Sequence, residues 1–432
     1  MLFFEIKASG IAVILVYSFA RYLFARLASQ WLAVALFLLV LPINEFEYYA
    51  GAILAVGISY FVFMWCHYRS VSCVIISVIW IAYSQYLSIH NTRGIGMAVM
   101  ILLAVSIWVG QLNSRSISDL MRSLSFLPVP ILILQLIGFC FGKPAIGEFF
   151  YDKSLGGLSI SQAASFVGLM MISSIYGFYL CLTRSKIRLS EIFLAVTTLV
   201  SCFVMAFFLG QRSAYLIPLL SVAICVFVLA FVSSGLRVKV VVSISSIFIL
   251  FGCLVFSIYV PSIGSVKLGF ASYETVRVDA IHCVLESALQ SPFSFIFGHG
   301  FRSFSDQCRE LNGLINYHPS FENIGHTHNL IAQVVFSLGV PLGCSLVIFL
   351  LKGFLKLLDS LGKYFYRENL SSLHLFLLFN FCFLNSMVEV SFLKVPALSM
   401  IYGLIFGAAI GCMPGNVLLS AGAKSCQQES MQ

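Results

Sequence analysis

Two histidines one residue apart close a long polar stretch of the chain, in the sequence GHTHNL at 325–330. Imidazole titrates near neutral pH, so a His–Asn pair at the mouth of an apolar helix suits general-base chemistry. His328 and His326 are therefore candidate bases. A metal-binding pair and an interfacial histidine without chemical function are the alternatives. No Asp, Glu or Cys ligand cluster accompanies the pair, so a metal is not expected.

A helix with an arginine on its apolar face is predicted over 274–290, ETVRVDAIHCVLESALQ. At 100° per residue, its apolar stripe contains Arg277, Ile281, Val284 and Ala288. The other side carries Asp279, His282 and Glu286. Arg277 either packs its stem and reaches a lipid headgroup, or points into a cavity to meet an anion. We favour the anion, because a desolvated guanidinium needs a partner.

A second arginine, Arg212, lies in the short turn GQRS at 210–213, between two apolar runs. Alone it could be an interfacial anchor. Two guanidiniums at one membrane surface suit a pyrophosphate, because each offers planar, bidentate donors. Arg212 and Arg277 together are therefore candidate ligands of a diphosphate.

A glycine turn lies between these motifs, where SPF at 291–293 is followed by GHG at 298–300. Gly298 and Gly300 predict a turn with a close backbone approach. The turn neither follows a strand nor opens a helix, so it is not a dinucleotide-binding fingerprint. Downstream, GVPLG at 339–343 interrupts an apolar run and predicts a bend.

The elements that position these residues are membrane helices, as the composition indicates. Of the 432 residues, 60% are hydrophobic and 10% are charged, whereas soluble domains have roughly 45–50% and about 25%. Too little polar surface remains to cover a soluble core. The net charge of +8 is spread between apolar runs, so no nucleic-acid partner is expected. We predict an all-α polytopic transmembrane bundle in contact with membrane lipid.

Runs long enough to cross a bilayer predict about 12–13 spans. They lie at 10–27, 29–44, 48–66, 70–88, 95–112, 126–142, 160–182, 191–209, 214–232, 238–260, 328–351, 371–390 and 393–412. A second apolar run follows the first almost at once, so no separate cleavable signal is expected.

The charges of the connecting segments predict the orientation. If residues 261–327 are external, the opposite face holds 15 of the 25 Lys and Arg but five of the 17 acids, a net of +10. The external face then has a net charge of −2. By the positive-inside rule the +10 face is cytoplasmic, which includes the tail 413–432.

The external segment divides the chain into an N-terminal bundle at 1–260, a periplasmic loop at 261–327, C-terminal helices at 328–412 and a cytoplasmic tail at 413–432. The loop has about 67 residues, and loops of this length are usually functional. Of the 13 cysteines, only Cys283 and Cys308 lie in a long polar stretch. The sequence allows a disulfide between them but does not require one, because no recognisable cysteine pattern is present.

Taken in order, these motifs resemble the O-antigen ligase/polymerase superfamily. The resemblance rests on GQRSAYL, VRVDAIHCVLESALQSPF, GHG and HTHN running into SLGVPLG, and it covers residues 210–343 closely. It implies a GT-C-like, metal-independent, inverting glycosyltransferase of the bacterial inner membrane, without a cofactor. By position, Arg212 and Arg277 resemble the diphosphate-binding arginines. His328 resembles the base, and His326 is the second choice because His328 directly precedes Asn329.

The resemblance implies an undecaprenyl-diphosphate-linked glycan as donor and a sugar hydroxyl as acceptor, with the active site on the periplasmic side. The acceptor is a second lipid-linked glycan in a polymerase and lipid A-core in a ligase. We expect polymerase activity, with ligase activity as the alternative and a chain-length regulator or a flippase as partner. A lipid-linked glycan flippase is a different class. It predicts repeat symmetry and charges at the bilayer midplane, whereas the sequence has no recognisable repeat and most of its charges lie at the ends of the spans.

Overall fold

The computed structural model describes residues 94–112, 117, 121–143, 148–153, 155, 158–183, 189–233, 262–263, 266–267, 273–300, 304, 308, 327, 329–367 and 370–411. The first four predicted spans, the run at 238–260 and the tail at 413–432 lie outside the described residues. So do parts of the loop at 261–327 and both candidate bases, His326 and His328.

The described part is mostly helical. Its helices are α1 Gly94–Leu112, α2 Pro128–Cys140, α3 Glu148–Asp152, α4 Ile160–Thr183, α5 Leu189–Leu209, α6 Arg212–Ser233, α7 Tyr273–Leu289, α8 Pro292–Phe297, α9 Leu330–Leu338, α10 Val340–Arg367, α11 Leu370–Val388 and α12 Pro396–Gly411. Short 3₁₀ turns at Ser123–Phe126 and Ser391–Lys394 precede α2 and α12. A small antiparallel ladder pairs β1 Ser262–Ile263 with β2 Val266–Lys267, with Ser262 opposite Lys267.

Three of the described helices are long and apolar enough to cross a membrane: Ile160–Thr183, Leu189–Leu209 and Val340–Leu361. Shorter apolar helices occupy Leu124–Cys140, Ser213–Leu229, Ser372–Val388 and Ala397–Gly411. These helices coincide with the predicted runs, because uninterrupted apolar sequence is a local signal. The predicted run at 328–351 differs, since it is divided between α9 and α10 at Gly339 (φ +92°). The predicted bend is therefore a break in the helix.

Helix α4 lies at the centre of the bundle and packs against α5, α6 and α11. Most of its residues from Gln162 to Ser174 are buried. Helix α5 buries Ser201, Cys202 and Met205, whereas Phe193, Val200 and Phe207 are exposed. These three phenylalanine and valine positions recur every seven residues and so share one side of the helix. An apolar outer side and a more polar inner side are what a helix in lipid requires.

Helices α1 and α12 approach closely through small residues. Gly403, Gly407 and Gly411 recur every four residues on α12 and face α1. A Cβ added at Gly403 would lie 2.7 Å from the Cβ of Ser106 and 2.8 Å from the carbonyl oxygen of Leu103. Spacing of small residues in this way lets two helix backbones come into contact within a membrane.

Candidate functional site

Asn329 fixes the start of α9 at the C-terminal end of α11. It has extended backbone angles and forms the N-cap, with its Oδ1 accepting a hydrogen bond from the backbone N–H of Ala332 at 3.0 Å. Its Nδ2 donates to the carbonyl oxygen of Met387 at 3.3 Å and lies 3.6 Å from the Met387 sulfur. Both ends of the amide are therefore engaged by protein, and the side chain orients the start of the helix.

Thr327 is held on the other side of position 328. Its Oγ1 donates to the carbonyl oxygen of Asn329 at 2.7 Å, and its backbone N–H donates to Oε1 of Gln333 at 3.1 Å. The Nε2 of Gln333 in turn donates to Oγ of Ser337 at 3.0 Å. Thr327 is buried. The residues that directly precede and follow His328 are thus fixed by hydrogen bonds to α9 and α11.

The predicted glycine turn caps the opposite end of α9. The backbone N–H groups of His299 and Gly300 donate to the carbonyl oxygens of Phe336 at 2.8 Å and Ser337 at 3.0 Å. These carbonyls lack partners within the helix, so the turn satisfies them. Gly298 and Gly300 have φ angles of +70° and +71°. A Cβ at Gly298 would lie 2.6 Å from the carbonyl oxygen of Phe336, so the predicted close backbone approach is present.

His299 joins this turn to α7. Its Nε2 donates to the carbonyl oxygen of Ser287 at 3.0 Å, and its ring lies 5.4 Å from the ring of Phe336. The sequence assigned His299 no role beyond its place in the turn. Ser287 lies 12 residues before His299 in the chain, so this contact has no local sequence signal.

Helix α7, which carries Arg277, packs against α9. Its buried residues Ala280, Cys283 and Val284 form a small apolar cluster with Phe304, Cys308 and Phe336. We call these six residues the α7–α9 cluster. The rings of Phe304 and Phe336 meet edge to face, with centroids 5.1 Å apart.

The predicted apolar stripe of α7 is partly correct. Val284 and Ala288 are buried, and Glu286 is exposed, as predicted. Ile281 is wrongly placed, because it is 43% exposed. The buried side is centred on Ala280, since that is the side that meets Phe336. Arg277 lies one turn before Ala280 and two turns before Val284, so its backbone position continues the buried side.

Arg212 is the first residue of α6 and follows Gly210, whose φ is +64°. The next residue, Ser213, lies against α4, where a Cβ at Gly168 would be 3.1 Å from its carbonyl oxygen. The same glycine faces Phe381 of α11. Because α11 continues from Phe381 to Met387, the start of α6 lies at the same end of the bundle as Asn329.

Among the described residues, a hydrogen-bond network holds this end of the bundle together. The Nδ2 of Asn385 donates to Oγ of Ser165 at 2.9 Å and to the hydroxyl oxygen of Tyr402 at 2.6 Å. It therefore links α11 to α4 and α12, two residues before Met387. No group of three or more metal-ligating side chains is present in the described part of the chain. The expectation of a metal-free site stays a prediction.

Cys283 and Cys308 form a disulfide, with their Cα atoms 5.9 Å apart. The sequence left this pairing open, and the structure decides it. Both cysteines are buried within the α7–α9 cluster. The disulfide therefore belongs to the contact between the arginine helix and the helix that begins after the histidine motif.

Residues 197–347 match a family model described as O-antigen ligase. The match supports the resemblance to the O-antigen ligase/polymerase superfamily that the motifs predict. No curated protein matches the chain. The O-antigen ligase segment extends from α5 to the start of α10. It includes Arg212, Arg277, Gly298, Gly300 and Asn329. The apolar helices indicate an integral membrane protein.

Proposed function

We propose that the chain is a membrane glycosyltransferase that transfers a glycan from undecaprenyl diphosphate to a sugar hydroxyl at the periplasmic face of the bacterial inner membrane. One observation carries the proposal. Within the O-antigen ligase segment, the start of α6 lies at the same end of the bundle as Asn329, and α7 packs against α9. The helices that carry the two arginines and the residue after His328 therefore belong to one packed unit.

In this proposal Arg212 and Arg277 bind the diphosphate. The bond from the anomeric carbon to the diphosphate oxygen breaks, and negative charge grows on the leaving group. A guanidinium offers two parallel N–H donors to phosphate oxygens. Fixed cations in a site with little water stabilise this charge more strongly than they would in bulk solvent. No metal ion is needed to neutralise the leaving group.

His328 is the proposed base, and His326 is the second choice. His328 accepts the proton of the attacking hydroxyl, whose oxygen forms the new bond at the anomeric carbon from the side opposite to the diphosphate. The configuration is therefore inverted. The base must be neutral at the working pH, and the positive end of the α9 dipole disfavours an imidazolium at this place. Asn329, Gly298 and Gly300 have an orienting role at the two ends of α9.

An apolar cleft supports a lipid-linked donor. Its volume is about 340 Å³, and it is lined by α6, α9, α10 and α11, including Ile331, Leu350, Phe379 and Phe383. Ile331 lies two residues after Asn329, so the cleft begins next to the candidate site. A diphosphate head at the site and an isoprenoid tail in lipid contact fit this arrangement.

We propose the polymerising form of the reaction, in which the acceptor is a second lipid-linked repeat unit and a chain-length regulator or flippase is a partner. Ligation to lipid A-core is the second candidate, because the matched family is described as O-antigen ligase. Deletion of the gene separates the two forms. A polymerase mutant accumulates single carrier-linked units, whereas a ligase mutant accumulates full carrier-linked polymer. Normal surface polysaccharide in the mutant would contradict both.

The proposed topology has residues 1–260 as an N-terminal bundle, 261–327 as a periplasmic loop, 328–412 as C-terminal helices and 413–432 as a cytoplasmic tail. The charge difference of +10 against −2 supports it. The Cys283–Cys308 disulfide supports it as well, because disulfides persist outside the reducing cytosol.

Labelling in intact cells tests this topology. We expect an impermeant thiol reagent to label Ser305→Cys and to leave Ser430→Cys unlabelled until the membrane is opened. The reverse pattern would show that the orientation is inverted.

A further inference from the structure

The α7–α9 cluster is the place where the arginine helix meets the helix that follows the histidine motif. Phe336 of α9 shares this cluster with Ala280, Cys283 and Val284 of α7, and Ala332 and Val335 of α9 pack against the cluster. Cys283 and Cys308 are each 2% exposed. The disulfide is thus a covalent bond inside the packed contact and not a link between two surface loops.

The sequence separation shows what the disulfide spans. Cys283 and Cys308 are 25 residues apart, and the chain between them includes α8 and the glycine turn. The turn itself is hydrogen-bonded to the end of α9 through His299 and Gly300. The closed loop therefore runs from α7, past the C-terminal end of α9, and back to α7.

We propose that the Cys283–Cys308 disulfide is a positioning element of the active site, which holds the helix of Arg277 at a fixed distance from the helix that begins after His328. This inference rests on the proposed function, because it takes the roles of Arg277 and His328 from it. The disulfide restrains α7 at Cys283, which is under two helical turns from Arg277. Because the α7–α9 cluster packs α7 against α9, the restraint on α7 also limits the position of α9.

A precise distance between these helices matters for the reaction. The base acts on the acceptor hydroxyl on one side of the anomeric carbon, while the arginines hold the leaving group on the other. A displacement of about 1 Å between such groups can lower the rate by about 100-fold. The donor can still bind to the arginines when α7 shifts, so turnover is expected to suffer more than donor binding.

We call this disulfide, with the helix contact that it restrains, the clamp. It forms by oxidation of the two thiols through thiol–disulfide exchange. The Cys283 and Cys308 thiols lose two electrons and two protons, and one S–S bond forms between them. The oxidant is a protein disulfide of the exterior compartment. Its own S–S bond breaks and takes up the two electrons and two protons to give two thiols. The site is then assembled only after the loop has left the cytoplasm.

The test uses the full-length protein, purified in lipid nanodiscs, with a lipid-diphosphate-linked glycan as donor. The variants are Cys283→Ala/Cys308→Ala and Cys283→Ser/Cys308→Ser. The control is Cys140→Ala/Cys344→Ala, which removes two exposed free cysteines and leaves the disulfide intact. Turnover and KM for the donor are measured per folded molecule, and the exchange of backbone amides with deuterium is followed in α7 and α9.

We expect both cluster variants to have a turnover number about 10- to 100-fold lower, with the donor KM changed by less than about threefold. Amides of Ala280–Ser287 and Leu330–Ser337 should exchange faster, and the control should match the wild type in every respect. A disulfide with only a stabilising role would lower the folded fraction and leave turnover per folded molecule unchanged. That result would overturn the proposal, as would free thiols at Cys283 and Cys308 in the wild-type protein.

The proposed function and the clamp fail in different ways. If the oxidised wild-type protein transfers no glycan, the proposed function is wrong. Amide exchange still tests the clamp in that case, because it needs no substrate. Unchanged exchange in α9 after removal of the disulfide would overturn the clamp. Faster exchange in both helices would support a restraint between them, and only lower turnover per folded molecule supports the positioning role.

Discussion

The α1–α12 contact in the bundle and the α8–α9 contact at the site both depend on glycine, but for different reasons. On α12, Gly403, Gly407 and Gly411 lie inside a regular helix and only leave room for α1. At the site, Gly298 and Gly339 have φ angles of +70° and +92° and also contact opposing backbone. The bundle needs the absence of a side chain, whereas the site also needs a backbone conformation that other residues rarely adopt.

The hydrogen bonds of the two regions also differ. Many hydroxyls in the bundle bond back to their own helix, as Ser106 does to Leu102 at 2.6 Å and Ser221 does to Ile217 at 2.8 Å. At the site, Asn329 and His299 bond to other elements. Bonds between elements fix relative positions, and catalysis depends on relative positions. Substitutions in the bundle should therefore change stability, and substitutions at the site should change turnover.

The largest effect is expected at His328. We predict that His328→Ala lowers glycan transfer by about 10²- to 10⁴-fold, because the acceptor hydroxyl loses its base. Binding of the carrier lipid should remain, since binding is assigned to Arg212 and Arg277. The measurement is transfer from a purified lipid-diphosphate glycan, with a separate binding assay.

Two further measurements distinguish the alternative roles of the two histidines. His326→Ala should lower transfer less than His328→Ala, and a chelator should have no effect on the wild type. Near-normal turnover by His328→Ala would exclude it as the base. Loss of activity in chelator would instead indicate that the two histidines bind a metal.

The next largest effect is expected at the arginines. Arg212→Lys and Arg277→Lys should each lower transfer by about 10²- to 10³-fold, because lysine keeps the charge but not the bidentate donor geometry. Arg122→Lys is the matched control, since Arg122 lies on the predicted cytoplasmic face. Normal transfer by both lysine variants at unchanged protein level would show that the diphosphate role is wrong.

The parts of this molecule that the sequence predicted are local. Apolar runs predicted most of the described helices, GHG predicted a close turn, and GVPLG predicted the interruption at Gly339. Each depends on residues within one or two turns of one another, and such signals can be seen without knowing the fold.

The parts that the sequence did not predict depend on distant partners. Asn329 contacts Met387, 58 residues away, and nothing near Asn329 indicates this. Periodicity misplaces Ile281 in the stripe of α7, because it gives the angles between side chains but not the side that meets Phe336. The sequence leaves the disulfide open for the same reason, since pairing depends on the distance between two segments.

A smaller effect, and a direct test of the two kinds of glycine contact, is expected from alanine substitutions. Gly339→Ala would have a φ of +92° and a Cβ 2.9 Å from the carbonyl oxygen of Phe295. We expect a loss of about 1–3 kcal/mol in stability and a turnover about tenfold lower, because α8 and the glycine turn would move away from α9. Gly407→Ala should lose about 1–3 kcal/mol by crowding Ile107, with turnover per folded molecule unchanged.

Gly142→Ala separates strain from crowding. Gly142 has a φ of +61°, and a Cβ there would meet nothing within 4 Å. It should lose about 1 kcal/mol from backbone strain alone. Thermal unfolding and transfer rates measure all three variants. Equal loss of turnover in Gly339→Ala and Gly407→Ala would remove the distinction between site and bundle.

The smallest effect is expected at Asn329, where one side chain makes two contacts that can be removed separately. Asn329→Ser keeps an oxygen that caps α9 but loses the bond to Met387, and Asn329→Ala loses both. Loss of an N-cap destabilises by about 0.5–2 kcal/mol, so the alanine variant should unfold at a lower temperature than the serine variant. Turnover should fall by a similar factor of a few-fold in both, because both release the start of α9 from α11. Turnover that recovers fully in Asn329→Ser would show that the cap alone positions His328, and that the contact with Met387 contributes nothing to the site.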